Sequence, residues 1–417
     1  MSSSPFQYFS YDFKTGLFTG QVPLRTVKFG QQLNTAGTLN GFIDMTDPRV
    51  LLTDPIASTI PNKSFIVADY KGAVAGGGVV LPRKWDVEGS PSASTRSLEV
   101  QCSETWAYFQ QRVQATDYSA PPYSGITGKV AMPYWTATPW DASLIVCQII
   151  ADALSVPYGN PLGGLGLLLN GVTPSGAAPA APVEDYVAVS YPYTSLQTVD
   201  TIVQQLCQLG LGVAPDIGID LAYSAGQCSP LVGTVNVSYP RRGRTYAENN
   251  LMIDLTTARG YSFPEDGSQT ANQVYEMGGS GAINVDLNEP ALEAGYVLWE
   301  RVISRATIQS QHILQLLQQI GTSDLALYSY APVAPTVKLA VNDPNLPLGS
   351  FIVGDDVRVV MPVLAPDGYP FDTRFPGGMD LEWRIVAYTV NVADQGDALL
   401  ELTLAQPVYT QALHPTI

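Results

Sequence analysis

Short runs of apolar residues, separated by turn residues, dominate the first 135 residues of the chain. Three extended runs are predicted at its start: Phe6–Phe13, Leu17–Leu24 and Arg25–Phe29. Further along, Asp69–Gly72 supplies a turn between two runs rich in β-branched and aromatic residues, as in a hairpin. Because such residues favour strands, the pattern predicts a β domain.

Apolar residues recur at helical spacing in three later segments. Thr105–Val113 predicts a short helix. The segment Thr138–Asp141 resembles the start of a second helix, with a hydroxyl at the N-cap, a Pro at N1 and a carboxylate at N3. A third helix is predicted from about Ser195 to a glycine cap at Gly210. The last two helices indicate an α/β domain.

A segment rich in Gly, Ala, Pro and Ser, Pro161–Pro182, lies between those two helices. This composition buries too little apolar surface to order the segment unaided. We therefore predict a flexible loop.

Strand patterns return at Gly233–Tyr239 and Asn250–Leu255, and the segment Pro240–Arg244 interrupts them. Its three arginines permit a nucleic-acid interpretation, but the flanking chain adds no further basic stripe. A solvated turn is the favoured interpretation.

The last part of the chain combines helices and strands. Asn288 and Pro290 predict a helix start, and a longer helix is predicted from Thr307 to a C-cap at Gly321. Most of its remaining positions are Gln, which favours docking against another subunit, although ordinary exposure is the alternative. Strands are predicted at the following ranges: Ser350–Val353, Val357–Met361, Leu381–Val392 and Ala398–Leu404.

With 417 residues, the chain is too long for one ordinary core. The fold class expected is α+β, mostly β. We predict four parts, which need not be continuous domains: an N-terminal β domain (1–135), an α/β domain (136–215) that contains the loop 161–182, a β-rich segment (216–285), and a helix plus C-terminal β domain (286–417).

The charge of the chain limits the classes of partner that it is expected to bind. Charged residues make up only 14%, which indicates large interfaces or an uncharged polar surface. The formal net charge of −16 disfavours attraction to phosphate, and hence nucleic-acid binding. Simple solubility explains this charge, and an acidic channel that repels DNA is the more specific hypothesis.

The cysteines and the N-terminus indicate an intracellular origin. Cys102, Cys147, Cys207 and Cys228 are far apart in sequence, which argues against a zinc site and predicts reduced core residues. Neither a signal peptide nor a run of 18 apolar residues is present, so no membrane insertion is expected.

Residues that catalysis needs are scarce. The only two histidines are His312 and His414, and no G-x-S-x-G motif accompanies them. Gly125–Val130 lacks the full P-loop spacing, and Gly163–Gly166 lacks the strand that a dinucleotide fingerprint needs. We expect no enzyme and no catalytic, cofactor or metal residues.

The enzyme alternative is a carbohydrate-binding or glycoside-cleaving β protein that acts on cell-wall glycans. Such cleavage needs two carboxyl groups across a sugar site, and three acidic pairs are candidates: Glu184-Asp185, Glu265-Asp266 and Asp355-Asp356. Six tryptophans are candidate sugar platforms, although each can equally fill a core: Trp85, Trp106, Trp135, Trp140, Trp299 and Trp383.

The order of several segments resembles that of one family. These segments are Val27–Asp44 followed by Asp47-Pro48, Asp69–Gly72, Trp106–Arg112, Ala271–Gly281, Gly354–Val359 and Trp383–Leu404. Together they resemble tail-tip (baseplate) hub proteins of long-tailed phages, especially minor tail proteins of siphophages that infect actinobacteria. The resemblance covers nearly the whole chain as a succession of short patterns.

This resemblance implies a structural virion protein at the phage tail tip, assembled in the host cytoplasm. It implies tail-tube-like β-barrel domains with smaller α/β domains, in a homotrimeric ring. The ring would join the distal tail protein to other minor tail or receptor-binding proteins. It would also gate the channel through which the tape-measure protein and DNA leave, without binding the DNA specifically.

The chain departs from the hub pattern in two ways. Its last predicted strand ends about a dozen residues before the C-terminus, with no cell-wall-cleaving domain after it, and the 161–182 loop is longer than the pattern requires. A soluble monomeric adaptor is a third interpretation, which light scattering distinguishes from a ring.

Overall fold

A computed structural model describes residues 5–51, 53–90, 93–113, 140–154, 168–170, 186–187, 197–207, 215–238, 241–264, 267–305, 313–329, 334–365, 367–393 and 398–405. The described chain is mostly β, with a few mostly short helices.

The strands fall in chain order as follows: β1 (Phe6–Asp12), β2 (Phe18–Gln21), β3 (Arg25–Gln32), β4 (Thr35–Asp44), β5 (Ser64–Tyr70), β6 (Ala73–Ser90), β7 (Ala93–Ser103), β8 (Trp140–Asp141), β9 (Leu168–Asn170), β10 (Tyr186–Val187), β11 (Asp216–Tyr223), β12 (Leu231–Ser238), β13 (Met252–Asp254), β14 (Gly260–Ser262), β15 (Gln273–Gly278), β16 (Ile283–Leu287), β17 (Glu300–Arg305), β18 (Thr336–Ala340), β19 (Asp356–Met361), β20 (Met379–Val392) and β21 (Leu399–Ala405). The helices are α1 (Pro48–Leu51), α2 (Ala107–Gln111), α3 (Ala142–Leu154), α4 (Val199–Cys207), α5 (Tyr246–Asn249), α6 (Glu289–Glu293) and α7 (Ile313–Tyr328).

One large, mainly antiparallel sheet contains thirteen of the strands. Its order is β14-β18-β21-β20-β3-β4-β7-β6-β5-β1-β2, and β19 pairs with β20 and β13. Among the described residues, the two ends of this path do not pair with each other. The sheet confirms the mostly β class, while the tail-tube-like barrels stay a prediction.

Strands from both ends of the chain meet at the centre of this sheet. β3 pairs with β20 in antiparallel register, from Val27 opposite Val392 to Gln32 opposite Ala387. Gly30 is required at this crossing, because a Cβ there would lie 2.1 Å from the Tyr388 carbonyl oxygen. The N-terminal and C-terminal β segments therefore share one sheet and one apolar core.

A smaller α/β unit packs beside the large sheet. Helices α2, α3 and α4 cover the sheet β11-β12-β9, and their apolar residues form a separate core. The predicted helical faces point into this core: Trp106, Phe109, Val199, Ile202, Val203 and Leu206 are all buried. The prediction of helices α2, α3 and α4 is thus confirmed, whereas Ser195 and Gly210 lie outside the described residues.

A third unit consists of the sheet β16-β15-β17 with α7 against one face. Asn288 caps α6 as predicted, since its side chain accepts from the Ala291 amide at 3.2 Å. Gly321 does not end α7, which continues to Tyr328. The reason is packing: a Cβ at Gly321 would lie 2.0 Å from Asp286 Oδ2, so the glycine allows the helix to approach the sheet.

Three other local predictions were wrong. Trp140–Asp141 pairs with Tyr186–Val187, so α3 begins at Ala142 instead of at a Thr138 cap. Within the loop 161–182, Leu168–Asn170 forms a strand that pairs with β12, and the rest lies outside the described residues. Ser350–Val353 is not a strand, because Gly349 and Gly354 turn the chain on either side with φ of 93° and 109°.

No helix in the described part of the chain combines the length and apolar character needed to cross a bilayer.

Candidate functional site

A turn with three arginines joins the α/β unit to the large sheet. Arg242 follows β12 and is buried. Its amide donates to Asp216 Oδ2 at 2.8 Å, and its Nη2 donates to Asp220 Oδ1 at 2.5 Å, both on β11. Its Nε donates to the Val353 carbonyl at 3.2 Å, in the segment before β19. One side chain thus bridges two units.

Arg384, on β20 of the large sheet, makes a second bridge. Its Nη2 donates to Asp216 Oδ2 and, at 2.9 Å, to the Arg242 carbonyl, while its Nε donates to the Gly354 carbonyl at 3.1 Å. Asp216 also accepts from Asn34 Nδ2 at 3.2 Å. Asp216 therefore receives donors from three separate parts of the chain.

The outer arginines of the turn bind the start of β19. Arg244 donates to Asp355 from its amide, its Nε and its Nη2, at 2.7, 3.3 and 2.6 Å. Arg241 Nη1 donates to Asp356 Oδ2 at 2.8 Å. These side chains and the two bridges above form what we call the arginine–aspartate cluster: Arg241, Arg242, Arg244, Arg384, Asp216, Asp220, Asp355 and Asp356.

This cluster corrects the interpretation of the turn as solvated. Arg242 and Arg384 are buried, and only Arg244 of the turn exposes a large part of its side chain. Buried guanidinium groups persist where carboxylates and carbonyls satisfy them, as here. The sequence signal was a charged residue next to apolar strand residues: Asp216 precedes Ile217 at the start of β11, and Arg384 lies between Trp383 and Ile385 on β20.

Glu104 lies at the same junction, beside a cavity of about 20 Å³. Residues of both units line this cavity, among them Gln31 on β3 of the large sheet and Trp106 and Ile217 of the α/β unit. Glu104 accepts from the Gly37 amide at 2.9 Å and from Gln31 Nε2 at 3.3 Å. Burial raises the pKa of Glu104 to about 7, and the Gly37 hydrogen bond and Arg242 oppose this shift.

A second buried charge group fixes α7 to its sheet. Arg305 on β17 donates from Nε to Glu276 Oε2 at 2.9 Å and from Nη2 to Asp324 Oδ2 at 2.5 Å. One arginine thus lies between two carboxyl groups. Burial, with Asp324 nearby, raises the pKa of Glu276 to about 7.

Of the three acidic pairs proposed for the glycoside-cleaving alternative, the structure describes one. Asp355 and Asp356 are buried and bind Arg244 and Arg241, so neither is free for acid–base work. Glu184-Asp185 and Glu265-Asp266 lie outside the described residues. The described pair is therefore structural.

The other candidate residues are dispersed. Trp106 and Trp383 are buried, whereas Trp85 and Trp299 are about half-exposed. Cys228 is exposed, which corrects its assignment to the core. Several other candidates from the sequence lie outside the part of the chain that the structure describes: His312, His414, Trp135, Gly125–Val130 and Gly163–Gly166. For Trp140, the structure describes the backbone but not the side chain. Among the described residues, no group of three or more His, Cys, Asp or Glu side chains is placed to hold a metal ion.

The fold formed by these units is that of phage tail proteins. The chain is similar to the 43 kDa tail protein of prophage MuSo2 from Shewanella oneidensis, with a TM-score of 0.57, 10% identity, and coverage of 98% of this chain and 100% of that one. It is also similar to a tail protein from Neisseria meningitidis, with a TM-score of 0.53, 11% identity, and coverage of 97% and 98%. No protein-family model and no curated protein matches the sequence, so the similarity is one of fold.

Proposed function

We propose that this chain is a structural subunit of a phage tail, with no enzymatic activity, and that it forms the hub of the tail tip or baseplate. The observation that carries the proposal is the fold similarity to tail proteins, which spans nearly the full length of both chains. A shared inserted module would match over only part of each chain. Similarity from end to end favours a shared role of the whole subunit.

The internal construction supports a role in bearing load. Two units are joined by the arginine–aspartate cluster, in which Asp216 accepts from Arg242 and Arg384. Several charge-assisted hydrogen bonds at one junction resist its opening, because each buried charge would lose its partner.

In the proposed assembly, three copies form a ring at the distal end of the tail. Tail-tube-like β domains would surround the channel, with the ring of the distal tail protein above and other minor tail or receptor-binding proteins below. The ring would gate the exit of the tape-measure protein and DNA. The net charge of −16 supports passage of DNA without specific binding.

Gold labelling of an epitope-tagged chain on whole particles tests this proposal. We expect label at the tail tip. Label along the shaft would assign the chain to the tube, and label on the head or on no particle would overturn a role in the tail.

A further inference from the structure

Helix α7 packs against the polar face of the sheet β16-β15-β17. The strand register places Glu276 of β15 beside Asn284 of β16. Successive side chains of a strand alternate between faces, so one face collects the following side chains: Glu276, Asn284, Asp286, Arg301 and Arg305. This is the face that α7 covers, since four residues of the helix contact these side chains: Leu317, Gly321, Asp324 and Tyr328.

Apolar side chains of the same strands lie on the opposite face. Ile283, Val285 and Val302 are between 47% and 62% exposed there. A helix that covers a sheet ordinarily buries the apolar face of that sheet. Here α7 covers the charged face, so its contact with the sheet depends in large part on how those charges are satisfied.

The other side of α7 is attached by apolar packing. Ile320 is buried in the core of the α/β unit, in the same apolar cluster as Phe109 and Val203. The helix therefore has two different attachments, an apolar one to the α/β unit and a largely polar one to its sheet. A change of charge acts on the second attachment and leaves the first intact.

Arg305 is the centre of the polar attachment. It binds Glu276 of the sheet and Asp324 of the helix, and the three side chains are no more than 10% exposed. Glu276 also lies within hydrogen-bonding reach of Asp324, and a bond between two carboxyl groups requires a proton on one of them. No described residue donates to Glu276 Oε1. The geometry therefore provides for one proton in this group.

The remaining charges of this contact do not remove the need for that proton. Arg301 lies over the Tyr328 ring, 4.1 Å from its centroid. Asp286 accepts from Asn284 Nδ2 at 2.5 Å, and burial raises the pKa of Asp286 as well. Across the described part of α7 and the face that it covers, three carboxyl groups thus accompany two guanidinium groups. With every group ionised, the contact carries one excess negative charge, which is costly where charges are buried.

Proton release should weaken this contact. Burial, followed by the hydrogen bond with Asp324, raises the pKa of Glu276 from 4.5 to about 7, and Arg305 opposes the shift. The packed state therefore binds the proton more tightly than a state in which Glu276 meets water. The stabilisation from this proton is complete below pH 4.5 and is lost as the pH rises through about 7.

We propose that Glu276, Asp324 and Arg305 form a proton-dependent latch between α7 and its sheet. One proton shared by the two carboxyl groups keeps the contact closed, and its loss favours separation of the sheet from the helix. Ile320 keeps the helix attached to the α/β unit when the sheet separates. The inference concerns the chain itself and does not rest on the proposed hub function.

Hydrogen–deuterium exchange of the purified chain, followed by mass spectrometry from pH 5 to pH 8, tests the latch. A helix of this length is marginal without its tertiary contacts, so separation from the sheet exposes the α7 amides to exchange. After correction for intrinsic exchange rates, the protection of α7 should fall by at least about tenfold across this range, since release of one proton changes the equilibrium by up to about tenfold per pH unit.

Glu276→Gln removes the titrating group, while its amide oxygen can still accept from Arg305 Nε. In this variant α7 should stay protected at pH 8, at least about tenfold more than in the wild type. Glu300→Gln is the matched control, because Glu300 lies on the opposite face of the same sheet and accepts from the Tyr275 hydroxyl at 2.7 Å. It should reproduce the wild-type pH dependence. An equal fall of protection in the wild type and in Glu276→Gln would overturn the inference.

Asp324→Asn separates the effect of the proton from a simple loss of packing, and it decides the matter if Glu276→Gln does not fold. With this side chain neutral, Glu276 ionises beside Arg305 at lower cost, so the fall of α7 protection with pH should become smaller. A role of Asp324 in packing alone would lower the protection equally at every pH. That result, or wild-type protection that does not change between pH 5 and pH 8, would also overturn the inference.

Discussion

Arg384 on β20 donates to Asp216 on β11, although 168 residues separate them in the sequence, and both side chains are buried. The bond joins the large sheet to the α/β unit. Because Arg242 donates to the same carboxylate from its amide, Asp216 holds three segments together. Asp216 is therefore a central hydrogen-bond acceptor at the junction of the two units.

We expect Asp216→Ala to lower the free energy of unfolding by about 3–5 kcal/mol, because it leaves a buried guanidinium without its carboxylate. Chemical denaturation monitored by circular dichroism measures the loss. Asp380→Ala is the control, since it breaks the exposed Arg358–Asp380 pair and should have little effect. Equal losses in the two variants would contradict the role of the cluster.

Glu104 should make stability depend on pH. Its pKa is raised by burial to about 7 in the folded chain, from an ordinary value of 4.5, so the folded state binds the proton more tightly. The free energy of unfolding should therefore fall as the pH rises from about 4.5 to above 7, by about 3 kcal/mol at about 1.4 kcal/mol per pKa unit.

Glu104→Gln should reduce the slope of this part of the profile, because the amide stays neutral and its oxygen can still accept from the Gly37 amide. Part of the slope should remain, since the pKa of Glu276 is also raised to about 7. Denaturation midpoints between pH 5 and 8 measure the slope. Glu99→Gln, on neighbouring β7, is only partly buried and should retain the wild-type slope. A Glu104→Gln profile that matches the wild type would show that Glu104 does not titrate in this window.

Gly30 tests whether the two ends of the chain share a sheet. Gly30→Ala places a Cβ about 2.1 Å from the Tyr388 carbonyl oxygen, so β3 and β20 must separate. We expect a loss of about 1–3 kcal/mol, as for other overpacked sites. Gly260→Ala, whose Cβ would meet nothing within 4 Å, should be neutral. Thermal unfolding distinguishes the two outcomes.

The enzyme alternative predicts a different result from the structural one. If Asp355 is a structural partner of Arg244, then Asp355→Asn should lower the thermal midpoint, and the wild type should release no sugar from purified cell-wall glycan. Release of reducing sugar by the wild type, lost in Asp355→Asn at a temperature where that variant is folded, would favour a glycosidase.

The spacing of apolar residues predicted helices and strands correctly where the residues that it marks are also the ones that pack in the core. The face of α4 contains Val199, Ile202, Val203 and Leu206, and all four are buried. Likewise, Leu381–Val392 was predicted as a strand and lies within β20. In both cases the core selects the same residues that the periodicity marks.

Predictions from the sequence were wrong where contacts between residues far apart in the chain determine the structure. Gly321 looks like a helix cap, but its role is the approach of α7 to Asp286, which is remote in sequence. The Arg241–Arg244 turn looks solvated, because nothing local shows that Asp216 and Asp355 meet it. The exposed apolar side chains of β15, β16 and β17 were also missed, since strand patterns alone do not show which face a helix covers.

The most direct test of the proposed hub is a cryo-electron microscopy map of the intact tail, into which the chain is fitted. The account predicts a trimeric ring of this chain at the tail tip. A map with the chain repeated along the shaft, or with no copy at the tip, would contradict it.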